Sequence, residues 1–228
     1  MKTSLNALDL IILIKNIKNI IINSVLTDIH DTKIGLLLTF RKNDEKNDLL
    51  LNVTKGWLFI TEYEFERSTP TYFIKEIRKI LLNKKILDID VPFFDRYAVI
   101  KFNDDIELNI EFMQGGNIIV TKKGTILSAL KYKKSKNREI KKEAEYKKTF
   151  LNTFNPFKHN LLSYKEILIN SKGGIVSTLW KFLGIAPEIS EECCIINNIS
   201  FNKLPKDLSE EEIEKLDMTC LLYTSPSP

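Results

Sequence analysis

Five apolar runs follow one another between positions 85 and 132, and the links between them are only a few residues long. Links rich in Asn, Asp and Gly favour tight turns, and strands joined by such turns pair with their immediate neighbours. The runs are Lys85–Val91, Tyr97–Phe102, Ile106–Phe112, Asn117–Thr121 and Thr125–Tyr132. This part of the chain is therefore predicted to form an antiparallel meander.

An acid and a guanidinium stand side by side where the second run begins. Pro92 cannot donate to a strand ladder, so the strand is expected to begin after it, with Asp95 in or beside the turn. The alternation over 97–102 has a period of two and predicts a strand with one buried face, which Arg96 shares with Ala98. Two interpretations stay open: Asp95 closes the turn and Arg96 caps the sheet edge, or the pair binds a ligand.

The N-terminal part of the chain predicts a helix followed by antiparallel strands. Apolar residues recur at helical spacing over 6–23, where Asp9 has the ordinary role of an acid favoured near a helix N-terminus. Three apolar runs then predict strands at Lys33–Phe40, Leu49–Val53 and Trp57–Thr61.

A second helix is predicted after these strands. Thr69 and Pro70 have the pattern of an N-cap followed by proline at the first helical position, and the apolar face ends at Leu81. Arg78 and Lys79 fall off that face, close to the helix C-terminus, where the helix dipole favours cations. They are expected on a solvated surface, where they are also possible contacts for nucleic acid.

The formal net charge of +4 comes from one segment. From Lys131 to Lys148, nine Lys and Arg residues stand against three Glu residues, a local charge of +6 that leaves −2 for the remainder. A polar, basic segment with few aliphatic residues predicts a linker or an exposed arm. We therefore predict an α+β chain with a first domain at 1–132, a basic linker at 133–159 and a second domain at 160–219.

The second domain is predicted to consist of short helices. Ser163 with Glu166, and Ser209 with Glu212, have the spacing of capping boxes. Between them, a helix at Ile175–Leu183 is expected to end at Gly184, and another to begin at Pro187 and run through Asn197.

Two glycine-containing turns are possible phosphate contacts. The turn at Gly184 either presents backbone amides to a phosphate or is a packing corner. The link at Gly115 and Gly116, followed by Asn117, leaves room for a phosphate to approach the backbone. No helix follows that link, which excludes a P-loop or a Rossmann motif.

The residue types favour binding over catalysis. The chain has two histidines and three cysteines, without the spacing of a zinc site or a disulfide framework and without a Gly-x-Ser-x-Gly turn. We therefore expect no metal, no cofactor and no enzyme activity. The cysteine usage fits a reducing compartment, and charged and amide residues interrupt the apolar stretch at 8–26 before it reaches bilayer length. A cytoplasmic protein with no membrane partner is expected.

The last nine residues, 220–228, resemble the translation of a sequencing-library adapter. On this interpretation they are excluded from fold reasoning, and the natural sequence is cut at about Thr219. The alternative is a disordered tail rich in serine and proline.

Six stretches with a common order and spacing carry a family resemblance. They are Ala7–Leu10, Thr61–Tyr63, Pro70–Phe73 with Ile77–Lys79 and Leu81, Phe94–Arg96, Gly116–Ile119 and Leu183–Glu188. Together they resemble the N-terminal region of the NFACT family, which includes the fibronectin-binding protein A homologues and the ribosome quality-control tailing factors. The stretch Leu208–Leu216 resembles archaeal members in particular. The resemblance implies a first domain similar to that of formamidopyrimidine-DNA glycosylases, followed by a helix-hairpin-helix domain.

The resemblance also implies a function. Family members bind a large ribosomal subunit obstructed by peptidyl-tRNA, recruit tRNA and promote untemplated C-terminal tailing, chiefly with alanine in prokaryotes, while the ribosome performs the peptide transfer. It implies tRNA-binding roles for Asp9, Asp95 and Arg96, since a guanidinium holds a phosphate or stacks on a base and a carboxylate orients it. Possible further nucleic-acid contacts are Arg78, Lys79, Gly116, Asn117 and Gly184.

The sequence departs from the family pattern at several points. Glu143 stands where the family usually has a glycine, and neither the coiled coil nor the later RNA-binding domain of the family is found in the sequence. The chain is therefore not expected to support tailing alone.

Two alternatives stay open beside the tRNA-binding function. One is a glycosylase-like DNA-binding or repair enzyme, although Met1–Thr3 lacks the proline and glutamate of that chemistry. The other is a fibronectin-binding surface adhesin, which is expected to need a secretion signal.

Overall fold

The structure, a computed structural model, describes residues 5–92, 94–113, 115–135, 138–148, 161–183 and 185–224. The chain divides into two compact units. The first comprises residues 1–5, 9–92 and 96–149, and the second comprises residues 6–8, 93–95 and 150–228. The fold is mixed, with antiparallel sheets and helices.

The first sheet has four antiparallel strands in chain order. They are β1 (Val25–Thr32), β2 (Gly35–Lys42), β3 (Glu45–Asn52) and β4 (Trp57–Thr61). Strand β1 is not predicted by the sequence pattern, because polar residues such as Asp28 and Asp31 interrupt its apolar run. A register shift between Leu26 and Asp28 also breaks its alternation.

The second sheet is the predicted meander. Its strands are β5 (Ile86–Asp90), β6 (Tyr97–Phe102), β7 (Ile106–Glu111), β8 (Asn117–Lys122) and β9 (Thr125–Ala129), paired in chain order and antiparallel. The short links thus predicted both the topology and the approximate bounds.

Two helices share one apolar core with both sheets. Helix α1 (Ala7–Ile21) buries a stripe from Leu10 to Ile21, and α2 (Tyr72–Leu81) buries Phe73, Ile74, Ile77 and Leu81. The α2 N-cap is Thr71, whose Oγ1 accepts from the Ile74 N–H at 3.4 Å. The prediction of Thr69 and Pro70 as the helix start was therefore two residues early.

Strand β6 is buried on both of its faces, whereas the sequence predicted one buried face. Ala98, Ile100 and Phe102 lie in the main core, and Tyr97 and Val99 on the opposite face are also buried. A second layer of apolar side chains lies on this outer face, and some of them come from the meander's own strands β8 and β9. It consists of Ile119, Ile126, Ala129, Ile140 and Tyr146, with Ala144 packed against them.

Part of that layer comes from the predicted linker. Strands β10 (Lys133–Ser135) and β11 (Arg138–Ile140) form a hairpin, and the chain then runs beside β9. The Ile126 N–H donates to Ala144 O at 2.9 Å, and the Tyr146 N–H donates to Gly124 O at 2.7 Å. Residues 138–146 are therefore packed on the meander, because a few buried side chains anchor a largely polar segment. The domain boundaries proposed from sequence stay a prediction.

The second unit is helical and has its own core. Its helices are α3 (Leu161–Ile169), α4 (Ile175–Leu183), α5 (Pro187–Ile196) and α6 (Glu210–Thr224), with a 3-10 turn at Pro205–Asp207. The core contains Leu168, Ile175, Leu179, Ile185, Cys193, Cys194, Ile199, Leu208, Ile213, Leu216 and Cys220.

The predicted helix ends in this unit have mixed outcomes. The bounds of α4 and α5 confirm the predictions to within a residue, and the Ser209 capping box is confirmed by reciprocal hydrogen bonds. Ser163 lies inside α3 and is not its cap, so that prediction was wrong. Helix α6 includes Cys220, which is buried. No structure was predicted for positions 220–228, because their sequence resembles a translated adapter.

Candidate nucleic-acid interface

Asp95 and Arg96 lie immediately before β6, as predicted. Asp95 is buried, with 8% of its surface exposed, whereas Arg96 is partly buried. The Arg96 carbonyl oxygen accepts from the Phe112 N–H at 2.9 Å, which extends the β6–β7 ladder by one residue. Arg96 as a residue therefore keeps part of its surface accessible, while a buried carboxylate acts through the groups beside it.

Asp9 is a partly buried acid in the first turn of α1. Asp9 and Arg96 belong to the first compact unit, and Asp95 belongs to the second. The grouping of these three residues into one binding site stays a prediction.

Arg78 and Lys79 have different environments although they are adjacent on α2. The Arg78 Nε–H donates to Ile29 O at 2.6 Å, and Nη2 lies 3.7 Å from an Asp28 carboxylate oxygen, which ties α2 to β1. Lys79 is 75% exposed and pairs only loosely with Glu76, at 3.2 Å. The helical pattern predicted a solvated surface position for both residues. Lys79 has such a position, whereas the Arg78 side chain is partly buried against β1.

Gly116 and Asn117 both have structural roles at the start of β8. Gly116 has φ +71°, and a Cβ atom there would lie 2.5 Å from Val53 O, so the position requires glycine. Its N–H donates to Met113 O at 2.9 Å and is not available to a phosphate. Asn117 donates from Nδ2 to Lys131 O at 2.9 Å and accepts from the Lys131 N–H at 3.0 Å. Gly184 lies outside the described residues.

A polar cluster on the outer face of the meander was not predicted. We call it the Glu111 cluster, and it consists of Glu111, Arg138, Tyr146 and Tyr97. Both Glu111 carboxylate oxygens accept from the Arg138 guanidinium, and Oε1 also accepts from the Tyr146 hydroxyl at 2.7 Å. The guanidinium carbon lies 5.1 Å from the Tyr146 ring centroid, within cation–π range.

Burial and charge fix the protonation of this cluster. Burial raises the pKa of Tyr146, and the neighbouring Tyr97 and Glu111 raise it further. Burial also raises the pKa of Tyr97. Burial tends to lower the pKa of Arg138, but the hydrogen bonds and charge of Glu111 outweigh it and raise the pKa. The phenols therefore stay protonated as donors, and the guanidinium stays charged.

A small cavity of about 100 Å³ opens beside the cluster, and we call it the basic cavity. It is lined by Glu111, Met113, Gly116, Asn117, Lys131, Lys133, Ser135, Arg138 and Ile140. The positive charge of this segment is evident in the sequence, where it predicts a linker and not a cavity. The alternation of Lys131, Lys133 and Ser135 was the available signal, since alternate residues of a strand share one face.

Two kinds of feature are absent from the described residues. Within the described ranges, no three His, Cys, Asp or Glu side chains are grouped so as to hold a metal ion. None of the described helices has the length and apolar character needed to cross a membrane.

A family model described as the NFACT N-terminal and middle domains matches residues 7–223. The chain belongs to the NFACT family. The match covers almost the whole sequence and confirms the resemblance found from its short stretches.

Two curated NFACT relatives have names that refer to ribosome quality control. The archaeal Rqc2 homolog aRqcH of Methanocaldococcus jannaschii is 31% identical over 180 residues, which are 74% of this chain and 26% of that protein. Ribosome quality control complex subunit 2 of Saccharomyces cerevisiae is 30% identical over 135 residues, which are 57% of this chain and 13% of that protein. The chain thus spans about a quarter or less of the length of these relatives.

Two solved structures share the fold. The N-terminal domain of fibronectin-binding protein PavA from Streptococcus pneumoniae has a TM-score of 0.71 at 24% identity, covering 85% of this chain and 83% of that one. The N-terminal part of the fibronectin/fibrinogen-binding protein from Streptococcus suis has a TM-score of 0.75 at 20% identity, covering 95% and 84%. These similarities show that the chain has the same mixed fold as these two N-terminal regions.

Proposed function

We propose that the chain is the N-terminal part of a ribosome quality-control factor. The factor binds tRNA on a large ribosomal subunit obstructed by peptidyl-tRNA and promotes untemplated C-terminal alanine tailing of the stalled nascent chain. The observation that carries the proposal is the family match over residues 7–223, together with the names of the two curated relatives. The ribosome performs the peptide transfer, so this chain needs to bind and position tRNA and needs no catalytic residue of its own.

The proposed tRNA contact is centred on Arg96. Its side chain is partly exposed at the start of β6, and a guanidinium either forms a two-pronged bond to a phosphate or stacks on a base. Asp95 is buried and has the role of orienting neighbouring groups, whereas Asp9 is partly exposed and accepts from nucleotide amino groups.

The test uses a full-length homologue, because the chain spans only part of its relatives. Substitutions equivalent to Asp95→Ala and Arg96→Ala are introduced together, and the protein is sedimented with large ribosomal subunits. We expect the double variant still to bind the large subunit. The amount of tRNA that sediments with it should fall about tenfold or more, and alanine tails should be lost. The matched control is the equivalent of Lys123→Ala, which removes a charge that is 74% exposed in the β8–β9 turn.

Two results contradict the proposal. One is a double variant that keeps both tRNA binding and tailing. The other is an unmodified protein that prefers duplex DNA containing a damaged base to tRNA, which is the result expected of the glycosylase-like alternative.

A further inference from the structure

The basic cavity is formed by one face of the β10–β11 hairpin and by the residues where β7 ends and β8 begins. Lys133 pairs with Ile140 and Ser135 pairs with Arg138 in the β10–β11 register, and all four line the cavity. Lys131, two residues before Lys133, continues the same face. Lys134 belongs to the opposite face, where it is 81% exposed and lies 3.8 Å from Glu139.

The charge in the cavity is net positive. Arg138 and Glu111 neutralise each other, and their side chains are only 11% and 12% exposed. Both carboxylate oxygens of Glu111 are occupied by Arg138, and one also by Tyr146. Among the described lining residues, Lys131 and Lys133 are therefore the cations that no carboxylate pairs with, and both are exposed at the mouth of the cavity.

Lys131 is held in place before any ligand binds. Asn117 bonds both the N–H and the carbonyl oxygen of Lys131, and the Lys131 ammonium donates to Gly115 O at 2.6 Å. An ammonium has three hydrogens, so two stay available for an anion. A cation that is already positioned loses less conformational entropy on binding than a free side chain.

We propose that the basic cavity binds a phosphate group through the ammonium groups of Lys131 and Lys133, with the Ser135 hydroxyl as a further contact. The cavity of about 100 Å³ suits a group of a few heavy atoms, since a cavity needs roughly 10–15 Å³ to hold one water molecule. Arg138 also lines the cavity, where its ion pair with Glu111 holds it in place. Asn117 is a positioning residue that acts through Lys131.

Such a phosphate has two sources, an RNA backbone and free inorganic phosphate. The RNA source rests on the proposed function, because it needs this surface to face tRNA. Binding of free inorganic phosphate does not depend on the proposed function.

The first experiment titrates the 228-residue chain with inorganic phosphate, against chloride at equal ionic strength, and follows binding by calorimetry. We expect saturable binding that Lys133→Met and Lys131→Met each weaken about tenfold, because each removes a charge-assisted hydrogen bond. Lys134→Met is the matched control, since it removes the same charge from the adjacent residue on the opposite face, and it should bind like the unmodified chain. Thermal unfolding of each variant verifies that the fold is intact.

The second experiment measures tRNA affinity of the same proteins as a function of salt. Each lost phosphate contact to single-stranded RNA should reduce the slope of log affinity against log salt by about 0.7. If Lys133→Met lowers tRNA affinity and slope and Lys134→Met does not, the cavity holds an RNA phosphate. If phosphate binding depends on Lys133 while tRNA affinity does not, the source is free phosphate.

The proposal is overturned if Lys133→Met and Lys134→Met are indistinguishable in both titrations. If the chain binds phosphate in the cavity while the full-length homologue with the Asp95→Ala and Arg96→Ala equivalents keeps tRNA binding and tailing, the proposed tRNA contact fails and the cavity proposal stands.

Discussion

Glu111 at the end of β7 and Arg138 on β11 form a two-pronged ion pair, with Nη1 and Oε2 3.2 Å apart and the second pair of atoms in closer contact. The pair joins two segments that are 27 residues apart in sequence, and it attaches the basic hairpin to the outer face of the meander. The hairpin carries the cations of the basic cavity, so this contact determines where they lie.

Removing one partner of this pair should destabilise the first unit strongly. Glu111→Leu leaves the buried Arg138 guanidinium without the Glu111 carboxylate. Arg138→Met leaves the buried Glu111 carboxylate without the Arg138 guanidinium. Each should lower the free energy of unfolding by about 3–5 kcal/mol, measured by urea denaturation. The double variant should lose clearly less than the sum of the two single losses. Strictly additive losses would show that the two charges are not coupled.

Two adjacent glycines offer a matched test of the packing at the start of β8. Gly116→Ala places a Cβ atom 2.5 Å from Val53 O in addition to the strain of φ +71°, whereas Gly115→Ala, at φ +83°, meets no heavy atom within 4 Å. We expect a loss of about 3 kcal/mol or more for Gly116→Ala and about 1–2 kcal/mol for Gly115→Ala, from denaturant midpoints. Equal losses would contradict the close approach to Val53.

Stability should depend on pH through His30. Its side chain is 7% exposed, its Nδ1 lies 3.6 Å from an Asp28 carboxylate oxygen, and burial, followed by the charge of Arg67, lowers its pKa below the ordinary 6.5. Below about pH 6.5 the unfolded chain binds a proton that the folded chain does not. This contribution to stability is therefore fully present above pH 6.5 and is lost as the pH falls toward the pKa of the folded state.

The measurement is urea unfolding at pH 7.5, 6.5 and 5.5, with a slope of up to about 1.4 kcal/mol per pH unit expected from one histidine. His30→Leu should flatten the profile in this window. An unchanged profile in that variant would mean that another group titrates.

The capping box of α6 should stabilise the second unit. A hydrogen bond from Lys203, followed by the Ser209 N–H, lowers the pKa of Glu212 below its ordinary 4.5. Glu212→Gln and Ser209→Ala should each lower the free energy of unfolding by about 1 kcal/mol at pH 7. A folded-state pKa below the unfolded value means that the Glu212 charge contributes stability above pH 4.5, and this is lost as the pH falls further. Glu214→Gln, at an exposed position of the same helix, is the control. It should change the free energy of unfolding little, both at pH 7 and below pH 4.5.

The sequence alone determined the features that depend on neighbouring residues. The short links at 103–105 and 123–124 specify the meander, because a link of two or three residues leaves no other pairing available. The Ser209 cap and the bounds of α4 and α5 follow from residues within one or two helical turns. The family was also identifiable, since it depends on the order of short stretches along the chain.

Tertiary structure alone decided the features that join distant residues. Polar β1 becomes a strand because β2 pairs with it, and Arg78 is partly buried because it donates a hydrogen bond to Ile29 O. The segment after Tyr132 is basic in composition, yet Arg138 and Tyr146 meet Glu111 and place the segment on the sheet. Periodicity reports which face of an element is apolar, but it does not report which distant element covers that face, and the basic cavity exists only where two such elements meet.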